Sequence, residues 1–256
     1  MSGNIALALD CGKYAPGDTD WNISMITASV RKAIESGCDI ICFPEACITG
    51  YSTENISTIN EGSDSIIALS ELSKDITIIA GGFERADKDF ITQYVFNDGR
   101  IVGRYRKTHL GMNETMFEAG NILQVFEANG YRMGIQLCWE VHFPQITAKY
   151  RNQDAILILN PTASGLPPER RMALWRKVIP ARADDNRLFY AACNCDGSSV
   201  LCCGPDGSEI EGKKIDEHLF RYDLDLSLVE KYRTEEETMR NIDYPKHFRP
   251  DLYDLE

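Results

Sequence analysis

No apolar run in the sequence approaches the roughly 20 residues that a membrane-spanning helix needs. The N-terminal stretch MSGNIALALD also lacks a basic segment followed by a cleavable apolar one, so the expectation is a cytoplasmic protein. Positive charge is scarce: 27 Lys and Arg stand against 39 Asp and Glu, a formal charge of −12. That balance argues against a nucleic-acid or anionic-membrane surface and leaves small molecules or proteins as partners. Internal repeats, low-complexity tracts and Pro/Gly/Ser-rich linkers are missing as well, so residues 1–256 are read as a single domain. Its 43% apolar content is enough for a substantial core.

Cysteine is not lacking, but a disulfide framework is. The nine cysteines are odd in number and scattered through expected strands and helices, which fits reduced thiols in a reducing compartment, most of them small core residues. Cys193, Cys195, Cys202 and Cys203 form a C-x-C and a C-C pair. Structural zinc knuckles space their cysteines by two to four residues, and adjacent cysteines on a strand point to opposite faces, so no metal is expected there.

What is present is an alternation of strands and helices. NIALALD is a short apolar strand, and WNISMITASVRKAIES carries Ile23, Ile26, Val30, Ala33 and Ile34 at helical spacing, with Asp20 as a cap and Gly37 as a stop. DIICFPE reads as a buried strand, SDSIIALSELSKD as a helix opened by a Ser/Asp cap, and ITIIAGGFE as a further strand. FITQYVFN and RIVGRYRKTHL flank Asp98-Gly99, a tight-hairpin pair, so the sheet is mixed. Then come the strand GIQLCW, the helix FPQITAKYRNQ, the strand DAILILNPT and a long helix, PPERRMALWRKVIPARADDNR, with Pro168 near its start and Pro180 inside it. LFYAACNC and HLFRYDLD are strands, LSLVEKYRTEEET is a charged helix, and NIDYPKHFRPDLYDLE is an extended tail. The order predicts helices on the faces of largely buried mixed sheets.

Three polar residues stand where apolar strands end: Glu45 in ICFPEACITGY, Lys107 in GRYRKTHL and Cys138 in GIQLCWE. Singly, each is an ordinary residue at a strand's exit into water, or, for the cysteine, an ordinary core residue. Together they form a chemical set. A thiol must lose its proton to attack; a carboxylate can take it, and an ammonium can stabilise first the thiolate and then an oxyanion.

These residues carry a resemblance. FPE at 43–45, YRKTHL at 105–110 and CWEVHFP at 138–144 resemble, in order, the Glu, Lys and Cys motifs of the nitrilase superfamily of carbon-nitrogen hydrolases. PGDTDWN, NPT at 160–162, ARADDNR and FRPDLY are similar to further landmarks of that family, so the likeness covers nearly the whole chain. It implies a four-layer α-β-β-α sandwich, an α/β fold of mixed sheets. It implies Glu45 as general base, Lys107 as oxyanion stabiliser and Cys138 as the acylated nucleophile. Glu114, seven residues after Lys107, resembles a second family glutamate that orients the lysine; Glu118 is the competing assignment. The turn beginning at Trp139 can aim a backbone N–H at the oxyanion. Glu140, where relatives carry Asp, is read as holding that turn by hydrogen bonds, against a plain solvated charge. His109 is implied to be a structural neighbour of the site, although His109 or His142 could also serve a conventional Cys-His pair.

The resemblance implies a cofactor-independent amidase that releases ammonia from a small linear amide through a thioester. N-carbamoyl substrates or nitriles are the alternatives, and a silent binding protein the reading from another class. It also implies a homodimer or larger assembly, with the tail at about 239–256 a candidate for the subunit interface. One departure bears on pocket shape: CDGSSVLCC, between Asn194 and the turn at 204–207, is shorter than the matching family segment. Arg170, Arg171 and Trp175 are read as packing and salt-bridging on an ordinary helix rather than meeting an acidic substrate.

Overall fold

The first apolar segment forms strand β1 (Asn4–Asp10), and every residue of it beyond Asn4 is buried. A strand enclosed on both faces needs a layer on each side, and this chain supplies helices on one side and a second sheet on the other. The computed structural model describes residues 3–54, 56–234, 243–249 and 251. After β1 come α1 (Thr19–Glu35), β2 (Ile40–Cys42), α2 (Asp64–Leu72), β3 (Thr77–Arg85), β4 (Asp89–Asn97), β5 (Arg100–Arg106), β6 (Phe126–Ala128) and β7 (Tyr131–Ile135). The second half holds α3 (Pro144–Arg151), β8 (Leu157–Thr162), α4 (Pro168–Asn186), β9 (Phe189–Asn194), β10 (Val200–Cys203), β11 (Lys213–Asp216), β12 (Leu219–Asp225) and α5 (Ser227–Thr234).

Among the described residues, seven strands form one sheet in the order β11-β12-β1-β2-β3-β4-β5, and five form another in the order β10-β9-β8-β7-β6. The alternation of strand side chains assigns the layers. Leu7, Leu9, Cys42 and Ile79 of the larger sheet meet Met133, Ile135, Leu157 and Leu159 of the smaller one in the central core. Ala8, Ile41 and Ile78 point the other way, onto Ile26, Val30 and Ala33 of α1 and Ile66 and Leu69 of α2. On the far side, Ile158, Tyr190 and Ala192 pack against Ile146 and Tyr150 of α3 and Trp175, Ile179 and Ala183 of α4. This is the four-layer α-β-β-α sandwich that the resemblance implies.

Local signals place the elements. Asp98 (φ 52°) and Gly99 (φ 75°) turn the β4–β5 hairpin in the left-handed region, as the Asp-Gly pair predicts. Helix α4 runs through Pro180 and ends at Arg187 in a left-handed cap. Gly134 in β7 is required by close approach: a Cβ there would lie 2.5 Å from the Tyr150 ring, whose hydroxyl donates to Ile135 O at 2.8 Å. That contact seats α3 on the strand that leads to Cys138.

Four details differ from the sequence reading. Asp18, not Asp20, caps α1, accepting the Trp21 N–H at 3.1 Å, because Asp20 already lies inside the first turn. Ser63 occupies the α2 cap position but accepts the Asn60 N–H instead of one from the helix. Strand β7 stops at Ile135, and Cys138 opens a separate 3-10 turn, Cys138–His142. Strands β6, β10 and β11, of three or four residues each, had not been expected. Of the tail at 239–256, residues 239–242, 250 and 252–256 lie outside the described residues; within the rest, Tyr244–His247 forms a 3-10 turn, preceded by Asp243, which Arg151 binds at 2.8 Å. Among the described residues, no helix is long and apolar enough to cross a membrane.

Candidate active site

Strands β2 and β5 run in the same direction in the large sheet, and β7 and β8 run parallel in the small one. The chain leaving the ends of these four strands meets at one place, where the two sheets face each other. Beyond β2 the chain delivers Glu45, beyond β5 Lys107, beyond β7 Cys138 and beyond β8 Ala163.

Lys107 lies at the centre, with only 1% of its surface exposed. Its Nζ donates to Glu45 Oε1 at 2.8 Å and to Glu114 Oε1 at 2.7 Å. The remaining Glu45 oxygen accepts the Ala163 N–H at 3.1 Å. Glu114 also accepts the Tyr51 hydroxyl at 2.6 Å and the Gly111 N–H at 2.5 Å, which fixes its carboxylate against the lysine. Glu118 is exposed and faces Lys88 at 3.7 Å, so of the two glutamates weighed from the sequence it is Glu114 that reaches Lys107.

Cys138 is held in the left-handed region, at φ 51°. Such a conformation costs a non-glycine residue about 1 kcal/mol or more and persists only where the surroundings over-determine it. Here they do. Asn160 Nδ2 donates to Cys138 O at 3.1 Å and to Gln136 O at 2.6 Å, tying the turn to β8. Glu140, fully buried, accepts five donors from two segments: the N–H groups of Leu137 (2.6 Å), Thr108 (2.9 Å) and His109 (3.0 Å), and the hydroxyls of Thr108 (2.7 Å) and Tyr105 (2.9 Å). The acid after the cysteine therefore clamps the Cys138 turn to the segment that follows Lys107, and it is not a solvated charge.

His109 belongs to the same scaffold. Its ring stacks on Phe143 at 4.1 Å, its Nδ1 meets the Thr108 hydroxyl at 2.8 Å, and its carbonyl accepts the Trp139 indole N–H at 2.7 Å. Among the described residues, neither His109 nor His142 hydrogen-bonds the Cys138 thiol, and the Cys-His pairing has no geometric support. Cys193, Cys202 and Cys203 are buried in β9 and β10. No group of three His, Cys, Asp or Glu among the described residues is placed to hold a metal ion.

A cavity of about 230 Å³ opens over Cys138, bounded by Tyr51, Lys107, Glu114, Trp139 and the Gly111–Asn113 segment. Electrostatics make its walls responsive. Burial raises the Glu45 carboxyl above its ordinary 4.5; the nearby Lys107 ammonium opposes the rise and the Glu114 charge adds to it. Burial alone would lower Lys107, but Glu45, Cys138 and Glu114 together push it up, so it stays an ammonium. Burial and the Glu45 charge push the Cys138 thiol up to about 12, while Lys107, Arg171 and the Ala163 N–H favour its thiolate. The resting groups are thus a thiol, a carboxylate able to take a proton, and a cation within reach of both.

Sequence reasoning missed Tyr51 and the Ala163 N–H; only the nearby NPT landmark pointed toward the latter. The salt-bridging role expected of Arg171 is overturned: Arg170 is exposed, but Arg171 is buried and, among the described residues, has no ion pair. Trp175 packs in the outer core, as expected.

Known proteins are similar to this one over most of its length. The model of the carbon-nitrogen hydrolase family matches residues 10–234. The chain is 27% identical to the chloroplastic omega-amidase of Arabidopsis thaliana, across 96% of this chain and 73% of that one. It is 30% identical to the 2-oxoglutaramate amidase of Bacillus subtilis, across 73% of this chain and 78% of that one. A nitrilase-superfamily protein of Saccharomyces cerevisiae has the same fold, with a TM-score of 0.80 at 20% identity over 92% of this chain and 95% of its own. By its sequence and its sandwich of two mixed sheets, the chain belongs to the carbon-nitrogen hydrolase family.

Proposed function

We propose that the protein hydrolyses a small linear amide through a thioester on Cys138 and releases ammonia. The observation that carries this reading is Lys107 held between Glu45 and Glu114, at 2.8 and 2.7 Å, beside Cys138 at the base of a cavity. Glu45 takes the thiol proton as sulfur attacks the amide carbon. The carbonyl oxygen gains negative charge, which the Lys107 ammonium and the Trp139 backbone N–H stabilise. The C–N bond then breaks, and the proton held by Glu45 goes to the departing ammonia. Water, activated by the same carboxylate, cleaves the thioester to free the acid and the thiol. Glu114 acts by fixing Lys107. No step requires a metal or organic cofactor.

Among the relatives, an omega-amidase from Mus musculus joins the Arabidopsis and Bacillus enzymes as proteins named for amide hydrolysis, which favours amides over nitriles or N-carbamoyl compounds. The cavity is below the size that holds drug-like ligands, which suits a short substrate. The same reading treats the chain as one catalytic domain, working as a homodimer or larger assembly in the cytoplasm, where its nine free thiols stay reduced.

Ammonia release by wild type and Cys138→Ala over ω-amides, N-carbamoyl amino acids, simple amides and nitriles tests the reading, with intact mass recorded alongside. Cysteine-dependent ammonia from amides, or a trapped acyl adduct on Cys138, is the expected result. Turnover that survives Cys138→Ala would overturn it.

A further inference from the structure

One wall of the cavity over Cys138 is a hydroxyl to which the proposed reaction gives no task. Tyr51 lines that cavity together with Lys107, Glu114 and Trp139. The residue is half-buried. Its ring is set by an edge contact with Phe83 at 5.7 Å, and Phe83 in turn packs on Phe117 at 4.7 Å. Its hydroxyl donates to Glu114 Oε1 at 2.6 Å, the short separation of a bond to a charged acceptor. Burial, that bond and the charges of Glu45 and Glu114 raise the Tyr51 pKa against the pull of Lys107, so the residue stays a phenol.

A phenol has one proton to give and lone pairs to receive with. The proton of Tyr51 is committed to Glu114, so what this hydroxyl offers the cavity is its oxygen as an acceptor. Among the described residues, no donor hydrogen-bonds that oxygen. Lys107 is the complementary case. An ammonium has three donors; two are used, by Glu45 Oε1 at 2.8 Å and by Glu114 Oε1 at 2.7 Å, and the third is left for a ligand. The Tyr51 hydroxyl and the Lys107 ammonium are anchored on the same carboxylate oxygen, Glu114 Oε1, so an acceptor and a donor stand side by side. The Trp139 indole N–H is not a rival for the ligand, since it donates to His109 O at 2.7 Å.

A primary amide carries the matching pair on one edge: a carbonyl oxygen that accepts, and the N–H syn to it that donates. Contacts made in the plane of the amide leave its faces open to an attacking sulfur. We propose that Tyr51 is a specificity residue that accepts this N–H from the substrate amide while Lys107 binds the carbonyl oxygen. An ester or a nitrile has no N–H to give, and a trans N-substituted amide turns its N–H away, so each leaves the Tyr51 oxygen unpaired. The proposal rests on the amide-hydrolysis reading for the chemistry, but recognition of the N–H can be measured without turnover.

Butyramide and 2-pentanone have the same shape and differ in one group, NH2 against CH3. The ratio of their affinities therefore reads recognition of the N–H. Titrations of Cys138→Ala, followed by ligand-observed NMR, should favour butyramide. With Tyr51→Phe added, the ratio should fall about three- to tenfold, the span of one hydrogen bond between neutral groups. Phenylalanine keeps the ring contact with Phe83, so the fold is retained. A tyrosine that merely braces Glu114 would weaken both ligands together; a ratio unchanged by Tyr51→Phe, whatever happens to the separate affinities, overturns the proposal. The two readings fail separately. If wild type releases no ammonia from any amide while butyramide still binds through Tyr51, the hydrolase reading fails and the N–H site stands. Cysteine-dependent ammonia from butyramide together with an unchanged affinity ratio has the opposite meaning. Neither turnover nor binding of any amide overturns both.

Discussion

Two enclosed glutamates flank Cys138, and the protein treats them in opposite ways. Glu140, in the turn that carries Cys138, is saturated: five N–H and O–H donors from two chain segments converge on it. Glu45, on the chain leaving β2, receives one backbone N–H and one ammonium, and burial raises its pKa. A carboxylate surrounded by fixed donors becomes a rivet, since both of its oxygens are tied to the chain segments around it. A carboxylate left short of donors retains an appetite for a proton, which is what a general base needs. On the proposed roles, similar side chains at a similar depth divide into scaffold and chemistry by the number of donors that each is given.

The largest way to break this contrast is Glu45→Gln. Removing the proposed base should lower kcat/KM by about a hundred- to ten-thousandfold. The fold should be untouched. Because burial raises the folded-state pKa of Glu45, its contribution to stability is fully present below the unfolded pKa and is lost as pH rises through the folded one. The glutamine should therefore melt at neutral pH no lower than wild type, as thermal unfolding beside kinetics would check. Glu140→Ala should give the reverse pattern. Five stranded donors cost about 3–5 kcal/mol, seen as a lower midpoint in urea, and activity should fall with the folded fraction.

A smaller effect sharpens the comparison through pH. With Glu45 as the proposed base, kcat/KM should rise with pH along an acid limb that lies above the ordinary carboxylate value of 4.5. The Glu114 charge contributes to that rise, so Glu114→Gln should move the limb toward lower pH as well as slowing turnover. A limb that stayed in place would mean that the two carboxylates do not sense each other. The smallest effect belongs to Glu118→Ala. As an exposed partner of Lys88 at 3.7 Å, Glu118 should change stability by less than about 0.5 kcal/mol. Turnover should be unaffected, in contrast to Glu114.

Much of this organisation was legible in the sequence, for identifiable reasons. Strands buried on both faces, such as DAILILNPT, read as continuous apolar runs, and Asp98-Gly99 announces its hairpin. Glu45, Lys107 and Cys138 were visible because charged or reactive residues interrupt such runs where strands end. The rest depended on what letters do not encode. The Ala163 N–H is a backbone donor and has no side-chain signature. Asp18 and Asp20 are equal candidates for a cap until the chain direction into α1 is known. Arg171 looks like any arginine on a charged helix, and nothing in the letters around it marks its burial. Strands of three or four residues, such as β6 and β11, are too short to show a period.

The left-handed backbone at Cys138 has an evolutionary and practical consequence. Glycine would occupy φ 51° without steric cost, so at this position selection for thermal endurance and selection for turnover point to different residues. A library of this gene sorted only for heat resistance would be expected to drift toward glycine at 138 and lose the proposed nucleophile while improving the protein. A library sorted for product would hold cysteine there, leaving the strain as a fixed tax on its stability.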